Sequence, residues 1–249
     1  MDTSLKKCEF CGKEYFKKTY NILGIDKIMQ FPQCSCLEEL RKKEQEEKEK
    51  QEKRDILERK FQNSLITPFF REKTFKNIDF SKEKAICQKY ANEFEPQKSK
   101  GISLIGSVGT GKTTLLACIC NELIPKGYNC LFTQLSDLLD KFVIARRSKN
   151  ELAENNLMYW LLQFDFVVLD DIGREKYTET RLEIAFKIID KLLNHKIPVA
   201  FSANPEMIEK LKNIADYRAI LDRLNEMSAI KLTFKGESYR GKTNKSNEL

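Results

Sequence analysis

Histidine is almost absent from this chain: the single one, His195, falls at the C-terminal end of a helical pattern. A helix C-terminus carries partial negative charge and suits an imidazolium, which argues against histidine as a general base here. No apolar run approaches the roughly twenty residues of a membrane span, and residues 1–8 show no signal-peptide core. A membrane role and export are therefore set aside, a cytoplasmic location is expected, and the eight cysteines are expected to stay reduced there. Charge of one sign does not dominate either. A net charge of +7 permits nucleic-acid or acidic-protein partners without demanding them. What abounds is charge of both signs, 33% of 249 residues, which is high for one packed fold and implies solvated helix or linker beside an ordinary core.

Residues 1–37 also lack the apolar content to fold by burial alone, since Tyr15, Phe16, Ile22, Leu23, Ile25 and Phe31 are most of what they hold. A cross-link is needed. Cys8 and Cys11 form a C-x-x-C pair, and Cys34 and Cys36 a tighter C-x-C pair. Four thiolates from two close pairs suit one tetrahedral structural Zn²⁺, with every coordination place filled by protein and hence no metal chemistry. Unrelated free thiols and a redox pair are the other readings. From Leu37 to Lys60 the sequence is nearly continuous Glu, Lys, Gln and Arg. Such a run has many i,i+4 charge pairs and no sustained apolar seam, so it reads as a solvated helical spacer rather than a coiled coil.

The apolar run Ile102–Ile105 reads as a buried strand that breaks at Gly106 into a loop, with a helix opening near Lys112. Between them Gly106, Ser107, Val108, Gly109, Thr110, Gly111, Lys112 and Thr113 fit G-x-x-x-x-G-K-[ST], with Thr114 directly after. Glycines there let backbone N–H groups wrap a polyphosphate at a helix N-terminus, so ATP is the expected ligand. Lys112 is then the cation for the outer phosphates and the Thr113 hydroxyl the holder of Mg²⁺. Downstream, Phe164–Leu169 is an apolar run closing on Asp170 and Asp171. Carboxylates at the end of a buried strand face the ligand crevice of an α/β sheet. Asp170 suits an outer-shell contact to Mg²⁺ and Asp171 can polarise an attacking water; two carboxylates merely ending a strand is the alternative.

Ser81 is read as the N-cap of a helix presenting Ala85, Ile86, Tyr90 and Phe94 on one face, and Ser136 as the N-cap of a long helical region. Cys87, Cys118 and Cys120 are read as small core residues. Phe69, Phe70 or Phe75 could flank adenine, although ordinary packing also accounts for them. Lys141, Arg146, Arg147 and Lys149 form a basic cluster able to track a phosphate backbone or simply to face water. Asn204, ending the apolar run from Ile197, can orient water or sense the γ-phosphate. Five buried strands alternate with helices, so the expected fold is α/β, a parallel five-stranded sheet in a three-layer α/β/α sandwich.

Gly106–Thr113, Val168–Glu175, Ser202–Asn204, Asp222–Met227 and Gly236–Arg240 together resemble the DnaC/DnaI-type replicative helicase loaders and the related IstB-type ATPases, within the AAA+ superfamily. The resemblance spans about residues 65–240. It implies a Walker A at Gly106–Thr113, a Walker B at Asp170 and Asp171, a sensor 1 at Asn204 and an arginine finger at Arg223. It also implies a sheet in which the Asn204 strand lies between those of Lys112 and Asp170. Asp171 stands where the pattern usually has Glu, one methylene longer; Arg218 is one residue out of register with the family's second arginine. Arg240 is either a sensor-2-like contact or a structural clasp. The implied organisation is a zinc module at 1–37, a charged helical linker at 38–64, an AAA+ ATPase domain at 65–240 and a flexible tail at 241–249. The implied partners are a replicative hexameric helicase, single-stranded DNA and further copies of the chain assembled by ATP. A transposition helper ATPase and a non-enzymatic zinc-module adaptor with structural nucleotide are the rival functions.

Overall fold

The computed structural model describes residues 6–79, 81–148, 150, 152–174 and 178–235, with backbone only for Leu211 and Asp216. The readings made at Lys149, Glu175 and Arg240 lie outside the described residues. The chain divides into two units, Met1–Ile56 and Leu57–Leu249.

In the first unit β1 (Tyr15–Ile22) and β2 (Ile25–Pro32) form an antiparallel hairpin with Ile22 opposite Ile25. Leu23 and Gly24 make the two-residue turn, with φ of 55° and 79°, the left-handed pair that matches strand twist. The Asn21 carboxamide braces it, accepting from the Gly24 N–H at 3.0 Å and donating to Asp26 at 2.7 Å. Phe16 stacks on Phe31 across the strands, with ring centroids 5.6 Å apart. Helix α1 (Cys36–Asn63) follows and buries none of its residues, and Glu38 and Glu39 sit in its first turn, where the helix dipole favours them. Its last residues belong to the second unit, where Leu57 and Phe61 pack on the core.

The second unit runs α2 (Pro68–Arg71), α3 (Lys82–Asn92), β3 (Gly101–Gly106), α4 (Lys112–Leu123), β4 (Cys130–Gln134), α5 (Leu135–Arg147), α6 (Ala153–Leu161), β5 (Phe166–Ile172), α7 (Glu179–Asn194), β6 (Val199–Ala203), α8 (Pro205–Lys212), α9 (Ala215–Met227) and β7 (Ser228–Phe234). The five strands β3 to β7 form one parallel sheet in the order β4-β5-β6-β3-β7. The Asn204 strand does lie between the strands of Lys112 and Asp170. Successive residues of β5 point to opposite faces: Val167 and Leu169 join α5, α6, α7 and α9 in one core, while Phe166 and Val168 join α3 and α4 in the other. That division is the three-layer α/β/α sandwich. The edge strand β4 is closed by upstream chain, its Phe132 N–H donating to the Ser64 carbonyl at 2.8 Å.

Local details depart from the sequence reading in three places. Ser81 caps α3 as expected, accepting from the Lys84 N–H at 3.0 Å, but the helix buries Cys87, Tyr90 and Ala91 and leaves Ile86 exposed. The N-cap before α5 is Gln134 and not Ser136, because β4 runs directly into the helix and the fully buried Leu135 anchors its first turn. The long helical region is two helices, broken where Ser148 takes an extended conformation. Cys87, Cys118 and Cys120 are core residues, as read.

The break between α5 and α6 is bound by a charge cluster. Arg146 donates to Glu154 at 2.9 and 3.2 Å and to Glu183 at 3.0 Å, and Lys187 donates to Glu154 at 2.6 Å. Hydrogen bonds from Arg146, then Lys187, outweigh partial burial and hold the Glu154 carboxyl down to about 2. A depressed carboxyl stabilises the fold fully above its unfolded value, about 4.3, and that contribution fades as pH falls through about 2. Glu154→Gln is therefore expected to lower stability by about 1–3 kcal/mol at neutral pH, with the gap to wild type closing as denaturant melts are repeated toward pH 2. A gap independent of pH would assign the cost to packing.

Candidate nucleotide site and cysteine centre

The phosphate loop hangs between two structural demands on glycine. A Cβ at Gly106 would lie 2.6 Å from the Phe234 Cβ and 2.9 Å from its carbonyl oxygen, so β3 can end against β7 only with glycine. Gly111 is the N-cap of α4 with φ of 86°, a left-handed turn that aims the first N–H groups of the helix, which have no intrahelical acceptor, back into the loop. Lys112 is buried and its ammonium donates to the carbonyls of Gly106 at 2.8 Å and Ser107 at 2.7 Å. Thr110 closes the loop by donating to the Ser107 carbonyl at 2.9 Å. Thr113 donates to Asp170 at 3.0 and 3.2 Å.

The carboxylates sit on a bulge of β5. Leu169 faces Phe201 and Ile172 faces Ala203, so Asp170 and Asp171 together stand opposite the single residue Ser202. Asp171 takes the left-handed conformation, φ 55°, that this requires. Burial pushes the Asp170 carboxyl above its ordinary value; hydrogen bonds from Ser202 and Thr113 oppose the rise and the Asp171 charge adds to it. The hydroxyl of the fully buried Ser202 donates to Asp170 at 2.5 Å and accepts from the Asp171 N–H at 2.9 Å. Asp171 itself pairs with Arg174 at 3.0 Å. A hydroxyl beside a buried carboxylate is the hard oxygen set that Mg²⁺ takes, so Thr113 and Asp170 fit that ion, and the loop fits a polyphosphate.

Asn204 follows β6 at the same edge. Its side-chain oxygen accepts from the Glu206 N–H at 3.1 Å, capping α8, which leaves the amide nitrogen as the end able to donate to a ligand. The two arginines of the next helix are engaged elsewhere. Arg223 donates to Asp190 at 3.1 Å and stacks over Phe186 at 4.1 Å, both on α7. Arg218 closes the far end of α8, donating to the Lys212 carbonyl at 2.8 and 3.1 Å. Of the aromatics, Phe75 is buried in the core, Phe70 packs against it and Phe69 is exposed. Sequence reasoning gave Ser202 no role of its own. Its one signal is a polar residue on a buried strand, two residues before Asn204.

The thiols of Cys8, Cys11, Cys34 and Cys36 come within 4.8 Å of one another. Tetrahedral zinc with bonds of about 2.3 Å wants sulfurs roughly 3.8 Å apart, a small contraction. In the Cys8–Gly12 turn Gly12 donates to the Cys8 carbonyl at 2.9 Å, and the N–H groups of Cys11 and Phe10 bring the Cys8 thiol down to about 7. Hydrogen bonds with Cys11 and Cys34, then burial, instead push the Cys36 thiol up to about 12, a protonated state that a bound cation would oppose. The cluster is compatible with zinc.

A family model described as IstB-like ATP binding protein matches residues 33–247. The chain belongs to this IstB-like ATP-binding family. Among relatives, the replicative helicase loader DnaC of Escherichia coli K12 is 27% identical over 191 residues, 75% of this chain and 76% of that protein. The replicative helicase loader DnaI of Bacillus subtilis 168 is 28% identical over 167 residues, 61% and 52% of the two chains. The fold is similar to the crystal structure of the DnaC helicase loader, with TM-score 0.60 at 18% identity over 68% of this chain and 100% of that one. The DnaI crystal structure gives 0.56 at 22% over 70% and 94%. This IstB-like ATP-binding protein thus shares its fold with the DnaC and DnaI structures. Cys8 and Cys11 precede the matched region, so the cysteine centre rests on its own geometry. Among the described residues no helix is long and apolar enough to cross a membrane.

Protein purified without chelator is expected to carry about one equivalent of Zn²⁺, and Cys34→Ser to lose it and unfold the hairpin while nucleotide binding persists. Metal analysis and proteolysis of residues 1–37 check this; less than a tenth of an equivalent in the wild type would sink the assignment.

Proposed function

We propose that this protein is an ATP-dependent loader that places a replicative ring helicase on single-stranded DNA, with ATP binding and hydrolysis as a switch. The observation that carries the reading is a phosphate loop and paired carboxylates on an AAA+ sheet whose relatives include helicase loaders, joined through a solvated helix to a four-cysteine module. Lys112 would neutralise outer phosphate charge, Thr113 and Asp170 would hold Mg²⁺, Asp171 would polarise the attacking water and Asn204 would report the γ-phosphate. Bound Mg²⁺ supplies charge neutralisation across the phosphates. Asp171, shorter than glutamate and paired with Arg174, suits slow turnover more than vigorous hydrolysis. The zinc module recruits the helicase, because a closed metal site has no chemistry of its own. Arg146 is held by Glu154 and Glu183, which leaves Lys141 and Arg147 as the described residues of the basic cluster free of that ion-pair network and able to meet a DNA backbone.

The family model's IstB-like description favours one second reading, a transposition helper that binds duplex DNA and a transposase. Binding of the host's purified ring helicase, with ATP turnover measured with and without single-stranded DNA, tests the proposal. Helicase capture that depends on intact cysteines and on ATP supports loading. Turnover without any helicase binding favours the transposition reading, and absence of turnover favours an adaptor.

Phosphoryl transfer commonly draws on a further cation, worth about 10³ to 10⁵ in rate, and Arg223 is the residue proposed to supply it to a neighbouring subunit. Its contacts to Asp190 and Phe186 in its own chain supply the control. Arg223→Ala should retain ATP affinity and lose turnover and ATP-induced assembly, whereas Asp190→Asn, which frees the guanidinium, should retain turnover. Partial recovery on mixing Arg223→Ala with Lys112→Ala supports action between subunits. Equal loss in Arg223→Ala and Asp190→Asn, without recovery on mixing, would make Arg223 a clasp between α7 and α9.

A further inference from the structure

The bulge at Asp170 and Asp171 creates a problem that the strand ladder cannot solve. Two residues of β5 face one residue of β6, so the regular ladder is interrupted between Leu169 and Ile172. A non-glycine residue held at φ 55° persists only where its surroundings over-determine it. Arg174 pairs with the Asp171 carboxylate at 3.0 Å, and a buried hydroxyl meets its backbone N–H. Ser202 Oγ accepts from the Asp171 N–H at 2.9 Å and donates its own proton to Asp170 Oδ1 at 2.5 Å, so its hydrogen-bonding capacity is divided between the two carboxylate residues.

We infer that Ser202 is the positioning residue for both carboxylates: one buried hydroxyl fixes the face that Asp170 turns to Thr113 and the backbone angle from which Asp171 projects. The inference rests on the ATPase reading for its functional consequence and on geometry alone for its structural one. Oδ1 of Asp170 is shared by Ser202 and Thr113, whereas Oδ2 takes only the nearer Thr113 contact, at 3.0 Å, among the hydrogen bonds described. With Oδ1 held by Ser202, Oδ2 makes the shorter of the two Thr113 contacts. Ser202 also lies on β6 two residues before Asn204, which directly follows that strand. A shift of β6 that moves Asn204 therefore moves the support of both carboxylates with it. The hydroxyl is fully buried, which keeps water from substituting for it.

Two substitutions test this. Ser202→Ala removes the hydroxyl with little change in volume, and Ser202→Thr keeps it. In the protein without nucleotide, Ser202→Ala should speed hydrogen exchange at the Asp171 amide by at least about tenfold relative to neighbouring β5 amides, the effect of one lost hydrogen bond; Ser202→Thr should restore protection. With a fluorescent ATP analogue, Ser202→Ala should raise the Mg²⁺ concentration that half-saturates the Mg²⁺-dependent gain in affinity by about tenfold, as loss of support behind a metal site does. Affinity measured in EDTA should stay within about twofold, because the loop amides and Lys112 are untouched. A lowered melting temperature with unchanged Asp171 exchange and unchanged Mg²⁺ half-saturation would overturn the inference and make Ser202 a packing residue. A wild-type chain whose nucleotide affinity ignores Mg²⁺ would instead overturn the ATPase reading, and the exchange experiment would still decide whether the hydroxyl holds the bulge.

Discussion

Every ligand-facing group of the nucleotide domain hangs from the register of three adjacent parallel strands. β3, β6 and β5 end at one edge because Ile105 pairs with Ala203 and Ile172 pairs with Ala203 from the other side. The phosphate loop and the two aspartates then leave the sheet one strand spacing to either side of Asn204, about 4.8 Å per step. Helices on both faces make that register costly to slip, since a one-residue shift of β5 would exchange Val167 and Leu169 with Phe166 and Val168 between two differently shaped cores. The site is precise because the sheet beneath it has little freedom to be otherwise.

Much of this was legible in the residues. Buried parallel strands are short apolar runs bounded by turn signals, as in β3, β5 and β6, whereas the edge strand β7 carries Lys231 and Thr233 and is only partly buried. The phosphate loop is legible because its glycines answer to backbone geometry that other residues cannot adopt, as Gly111 does. Other features were less visible. The hairpin of residues 15–32 escaped because Ile22, Ile25, Ile28 and Met29 are exposed, so no alternation of buried and solvated positions marks its strands. Helix α8 carries its signal only in Asn204 and Pro205, a fair cap and first turn. The bulge could not be read at all, because the left-handed residue there is an aspartate and not a glycine.

The arginines show where motif reading stops. Sequence can say that Arg218 and Arg223 belong to a helix after the Asn204 strand, but their partners depend on packing across long separations. Arg223 meets α7 through Asp190 and Phe186, and Arg218 meets the end of α8. A partly exposed ion pair such as Arg223–Asp190 contributes at most about 1 kcal/mol. The Arg146 cluster is the opposite case, a cation between two carboxylates and hence slow to leave.

Lys112 donates to the carbonyls of the very loop it serves. The ammonium thereby acts as an internal stand-in for the ligand, holding two oxygens inward and the loop in one shape. Ordering such a loop is accomplished during folding, so a polyphosphate finds its amides already convergent and loses little to entropy on arrival.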